Sequence, residues 1–145
     1  YTFSISGAQS EDTVAAAEET LGVSFPPSYR AFLRAYGGLS LPTGLGIVHE
    51  LVGVDAKGQA QGEKGVVERS MHGRVENRLR ENLIVVGIGA DFAEWYVLDI
   101  DRCGADGEAP VWLFDARSNE IDQQFYDSFD QMVREVLTFV EENLG

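Results

Sequence analysis

The sequence predicts an α+β fold. A mostly antiparallel sheet carries helices packed mainly on one face, in the order helix, helix, strand, helix, three strands, helix. Three observations predict it. The first forty residues repeat apolar side chains at helical spacing between capping residues. Residues 83–116 hold three short apolar or alternating runs separated by turn residues. Residues 128–144 return to helical spacing. A chain of 145 residues is long enough to bury a core as one domain, 1–145. The single Cys103 excludes an internal disulfide framework and a cysteine-rich zinc site, and favours a reducing compartment.

The elements follow in order. Residues 1–10 read as a loose lead-in. In EDTVAAAEETLG (11–22), Ser10 is the N-cap, Glu11 and Asp12 suit the positive helix end, and Val14, Ala17 and Leu21 share a face before Gly22. LGVSFPPSYRAFLRAYGG (21–38) is strongly punctuated. Pro26 and Pro27 start a helix rather than break one, because first-turn N–H groups lack partners anyway. Tyr29, Phe32, Leu33 and Tyr36 make its apolar stripe, and Gly37 and Gly38 end it. Residues 39–46 read as a Gly/Pro-rich loop, IVHELVGV (47–54) as a strand, and DAKGQAQGEKG (55–65) as a mobile loop. Val67, Met71, Val75 and Leu79 recur at i+4 and predict a helix over 66–80 with that stripe inward, weakened by Gly73. LIVVGIG (83–89) is a buried strand and EWYVLDID (94–101) an alternating one. In the latter Trp95, Val97, Asp99 and Asp101 share a face. PVWLFDA (110–116) follows a turn as the third strand. SFDQMVREVLTFVEENL (128–144) is a helix capped by Ser128, with Phe129, Met132, Val133, Val136, Leu137 and Val140 inward.

Charge narrows the function. The net charge is −13, and residues 91–130 hold 11 acids against Arg102 and Arg117. That field repels nucleic acid and anionic membrane and favours basic partners, so neither nucleic acid nor membrane is expected as a ligand. The four arginines at 69, 74, 78 and 80 read as a solvated helix face. No run approaches the ~20 apolar residues of a membrane span, and no secretory leader is expected.

Few residues suggest covalent chemistry. GIGADF (87–92) lacks the third glycine and the following helix of a dinucleotide loop. Asp99 and Asp101 admit four readings: a solvated strand end and hairpin loop with no role, a divalent-cation site, a general acid/base pair of a metal-dependent hydrolase, or a partner contact. His49 and His72 lack companions for a metal site. Arg102 beside Cys103 would lower the thiol pKa slightly. The set that fits a basic protein partner is acids with aromatic anchors: Asp91, Glu94, Trp95, Asp99, Asp101, Asp106, Glu108 and Trp112. No catalytic residue, metal or cofactor is assigned.

Taken together, LGVSFPPSYRAFLRAYGG (21–38), LIVVGIGADFAEWYVLDID (83–101), and APVWLFDA (109–116) with SFDQMVREVL (128–137) resemble the SUKH superfamily. The resemblance runs from about residue 14 to 140, and the first motif is its most specific part. It implies a single α+β domain without known catalysis, and cytoplasmic bacterial immunity proteins that neutralise a toxin, often a nuclease. A regulatory scaffold, as in the yeast cell-wall assembly regulator, is the other role it implies. The motif residues Leu21, Gly22, Pro26, Tyr29, Phe32, Leu33, Tyr36, Gly37 and Gly38 are fold determinants. Stretch 39–80, which matches the family least, is where specificity would reside.

Overall fold

Among the described residues, seven strands join in chain order into one antiparallel sheet, each pairing with its neighbours in sequence. The structure, a computed structural model, describes residues 4–5, 7–41, 48–54, 65–89 and 91–143. The elements among them are β1 (Ser4–Ile5), α1 (Glu11–Leu21), α2 (Pro27–Ala35), β2 (Leu39–Ser40), β3 (Val48–Leu51), α3 (Val66–Glu76), β4 (Leu83–Gly89), β5 (Glu94–Asp99), β6 (Val111–Asp115), β7 (Glu120–Tyr126) and α4 (Phe129–Asn143). This is the α+β class that the sequence predicts. Three strands are additional. β1 and β2 lie in the expected lead-in and loop, and β7 follows the last expected strand. Residues 55–64 of the expected mobile loop, 42–46 of the Gly/Pro-rich loop and 47 of the expected strand lie outside the described residues.

The caps behave as read. Ser10 Oγ accepts the Thr13 N–H at 3.2 Å, Gly22 takes φ 72°, and Ser128 Oγ accepts the Gln131 N–H at 3.2 Å. Arg30 joins α1 to α2 by pairing with both Glu11 and Glu18. Its proximity and that of Arg34 hold the Glu11 carboxyl below its ordinary range. Gly37 does more than end α2. At φ 77° it passes so close to neighbouring chain that an added Cβ would fall 1.9 Å from Gly7 O, and one on Gly53 would fall 1.6 Å from Gly37 O. Three backbone segments meet there, which only glycine permits.

On one sheet face α2 and α4 meet through rings. Phe129 lies 4.8 Å from Tyr29 and 5.4 Å from Phe32, centre to centre, a geometry worth about 0.5–1.5 kcal/mol per pair beyond area burial. The Tyr29 hydroxyl donates to Val52 O at 2.7 Å in the buried core. Gly87 of β4 leaves room for α4, since a Cβ there would lie 2.7 Å from Met132 Cε.

The remaining helix, α3, takes the opposite face, and its orientation corrects the sequence reading. Val66, Ser70 and Gly73 are its buried residues. Met71 and Val75, expected inward, are 41% and 79% exposed. Two contacts set this rotation. β3 pairs with β4 only as far as Gly87. Val52 N–H then bonds Val86 O, and the next free donor, Val85 N–H, goes to Ser70 Oγ at 2.9 Å. A buried N–H needs such a partner. Gly73 lets the helix approach the sheet, because a Cβ there would lie 3.2 Å from the Trp95 ring.

Candidate functional site

The β5–β6 connection is built by its own carboxylates. β5 ends at Asp99, and Ile100–Arg102 form one 3-10 turn. Asp99 Oδ1 accepts the Asp101 N–H at 3.2 Å and Asn82 Nδ2 at 2.8 Å. Its Oδ2 faces Arg102 Nε at 3.3 Å. Asp99 is thus 8% exposed and positions the turn. Asp101 has left the strand, which corrects the expectation that the two aspartates share a strand face. The competition is local: a carboxylate that bonds the backbone two residues on turns the chain. Asp101 and Asp106 are exposed. Asp106 Oδ1 accepts the Glu108 N–H at 3.0 Å, and Gly104 N–H bonds Glu108 O at 2.9 Å.

Glu108 reaches across the molecule. Its carboxylate accepts the Ser28 N–H at 3.0 Å and the Ser28 hydroxyl at 2.7 Å. Pro26 and Pro27 supply no N–H and α2 has no side-chain cap of its own. Glu108 therefore serves as the anion at that helix start, 80 residues away in sequence. Trp112, half-buried on β6, lies beneath the Arg102 guanidinium, whose Cζ is 5.5 Å from the ring centre. The exposed Cys103 thiol is pushed up by burial and by Glu108, Asp99, Asp106 and Asp101. That corrects the lowering expected from Arg102.

Asp91, Glu94 and Trp95 lie at the other end of β5. Asp91 Oδ1 accepts the N–H groups of Ala93 and Glu94, each at 3.1 Å, and Arg117 lies 3.5 Å from its Oδ2. Desolvation opposes ionisation of Asp91, but its hydrogen bonds with Glu94 and Ala93 hold its carboxyl below the ordinary range. Glu94 is raised by the hydrogen bond to Asp91 and by burial. Trp95 stacks on Phe114 at 5.4 Å and donates its indole N–H to Phe92 O at 3.2 Å.

The six candidate acids therefore gather at the two ends of β5, about 20 Å apart at ~3.4 Å per strand residue, with Asp99, Asp101, Asp106 and Glu108 at the hairpin and Asp91 and Glu94 at the opposite turn. Trp112, opposite Val97, and Trp95, opposite Phe114, lie between them on neighbouring strands. Among the described residues, no three His, Cys, Asp or Glu side chains are placed to hold a metal ion. Phe92 was not singled out by sequence. It is 54% exposed, has φ 66°, and packs on His49 at 4.7 Å. A bulky residue in left-handed backbone at a turn is an outlier that sequence pattern does not reveal.

The model of the SMI1 / KNR4 family (SUKH-1) matches residues 9–135.

The chain belongs to the SUKH-1 family.

A search of curated proteins gives no significant match. The match covers α1 through the first half of α4 and so includes both acidic groups. SUKH-1 proteins are generally non-catalytic, and the family is consistent with immunity-protein or interaction-module roles. In this SUKH-1 chain no helix among the described residues is long and apolar enough to cross a membrane.

Proposed function

We propose that this SUKH-1 domain is a non-enzymatic immunity protein of the bacterial cytoplasm that binds and neutralises a basic toxin domain, of nuclease type, through its acidic surface. The observation that carries this reading is the pinned hairpin. Glu108 ties it to α2, and Asp99 closes its turn. Asp101 and Asp106 therefore stand exposed on a preorganised support. Preorganised charge loses little freedom on binding. The net −9 of residues 91–130 steers a basic partner and raises the association rate. At the opposite turn the exposed Phe92 supplies an apolar anchor beside Asp91 and Glu94. The two groups fit within one interface, since a standard footprint of ~800 Å² per partner is about 30 Å across. Inhibition follows from covering the toxin's substrate channel.

Calorimetry with the purified toxin domain encoded beside this chain tests the reading. Saturable binding that weakens with salt, together with rescue on co-expression, is expected. Absence of binding at low salt, or undiminished toxicity on co-expression, removes it.

A further inference from the structure

A second site lies beside the hairpin, on the α3 face of the sheet. A cavity of about 210 Å³ opens between the 80–83 segment, Arg102 and β6–β7. Ligand pockets for drug-sized molecules run to ~300–1,000 Å³. This one suits a side chain or a small acid and excludes a nucleotide.

Its apolar lining is the Trp112 ring, Leu83 and Ile121. Its polar lining is asymmetric. The one acid, Asp99, is already engaged by Asn82, the Asp101 N–H and Arg102. The donors are not. Arg80 lines the cavity with its guanidinium unpartnered among the described residues. Arg102 uses only Nε, at 3.3 Å, and is 66% exposed. Trp112 buries its indole N–H with no hydrogen-bond partner among the described residues. Asp99 answers Arg102, but the second guanidinium on this small cavity, Arg80, has no anion of its own among the described residues, so an added anion would be favoured there. Arginine forks match a planar carboxylate, and the ring and Ile121 accept the body that carries it.

We propose that this cavity is a binding site for a carboxylate borne on a small apolar body. It is distinct in sign from the acidic surface and does not depend on the toxin reading. The carboxylate has two sources, a free small acid or an acidic side chain of a peptide, and the experiment separates them.

The probes are benzoate, with benzamide as its neutral isostere, and the peptide acetyl-Ala-Glu-Ala-amide, with its Gln counterpart. The readout is the indole N–H resonance of Trp112 in the full chain. Trp95, whose N–H is held by Phe92 O, is the internal reference. Saturable shifts of Trp112 by the carboxylates and not by the amides are expected. Affinity should fall about tenfold or more in Arg80→Gln and Arg102→Gln, since each removes a charge-assisted hydrogen bond, and stay unchanged in Arg134→Gln on α4. The tighter-binding carboxylate identifies the source. If Arg102→Gln disturbs the hairpin, Arg80→Gln decides alone, because that side chain holds nothing else in place among the described residues. Unchanged affinity in Arg80→Gln, equal response to benzamide, preference for ethylguanidinium over benzoate, or no saturable shift with either carboxylate overturns the proposal.

Discussion

Glu108 illustrates how a residue's role depends on what it touches. In sequence it is one acid among many. In the fold it serves the N–H and hydroxyl of Ser28, where two prolines leave α2 without a cap of its own. Glu108→Ala should therefore lower stability by about 1–2 kcal/mol, the usual cost of a lost cap, read from the urea midpoint at constant slope. A Glu108 that serves only as surface charge would leave the midpoint within about 0.5 kcal/mol. Asp99 is similarly occupied, so of the six acids expected at the partner surface two primarily hold the hairpin. The acidity of residues 91–108 was legible in sequence. Which carboxylates are free was not, because that depends on Ser28 and Asn82, which come from other elements.

At the scale of elements, legibility followed local signals. α1, α2 and α4 were readable because caps and apolar spacing agree, and β4–β6 because their apolar runs are bounded by turns. β1 and β2 have two residues each, too few for any period. β7 reads EIDQQFY, is exposed at its first five positions, and forms the sheet edge through an irregular register with β6. Such an edge strand carries no apolar alternation and is blunted by charge and bulges. α3 misled for the opposite reason. Its i+4 apolar stripe splits: Met71 and Val75 face outward, Val67 is partly buried and Leu79, past the helix end, is in the core, while Ser70 and Gly73, which carry no hydrophobic signal, face the sheet. Val75→Lys should then change stability by less than about 0.5 kcal/mol. Ser70→Ala should cost about 1–3 kcal/mol by orphaning the Val85 N–H. Thermal or urea denaturation of the pair checks this, and the reverse order of effects would restore the sequence-derived orientation.

For the whole molecule, two collective properties are testable. Burial pushes the Tyr96 phenol up to about 12, and burial also raises Tyr29 and Tyr126. In the unfolded chain these groups ionise near 10. Between about pH 10 and 12 the unfolded chain holds fewer protons than the folded one, so stability is full below 10 and falls as pH rises through that window. Denaturation midpoints across the window should decline, and Tyr96→Phe should make the decline shallower; an unchanged slope would contradict the burial account. The second property is the field. Residues 91–130 carry net −9, while the four arginines of 69–80 lie on and just after α3. Sequence gave the sign of this field, and folding divided its candidate contacts between the two ends of β5. The most direct test of the proposed function is the association rate with the toxin domain, followed by stopped-flow fluorescence from low to high salt. For the native chain the rate should fall steeply with salt. Asp101→Lys with Asp106→Lys should slow association about tenfold at low salt and flatten the dependence. A variant that associates as fast, with the same salt slope, would place recognition elsewhere on the molecule.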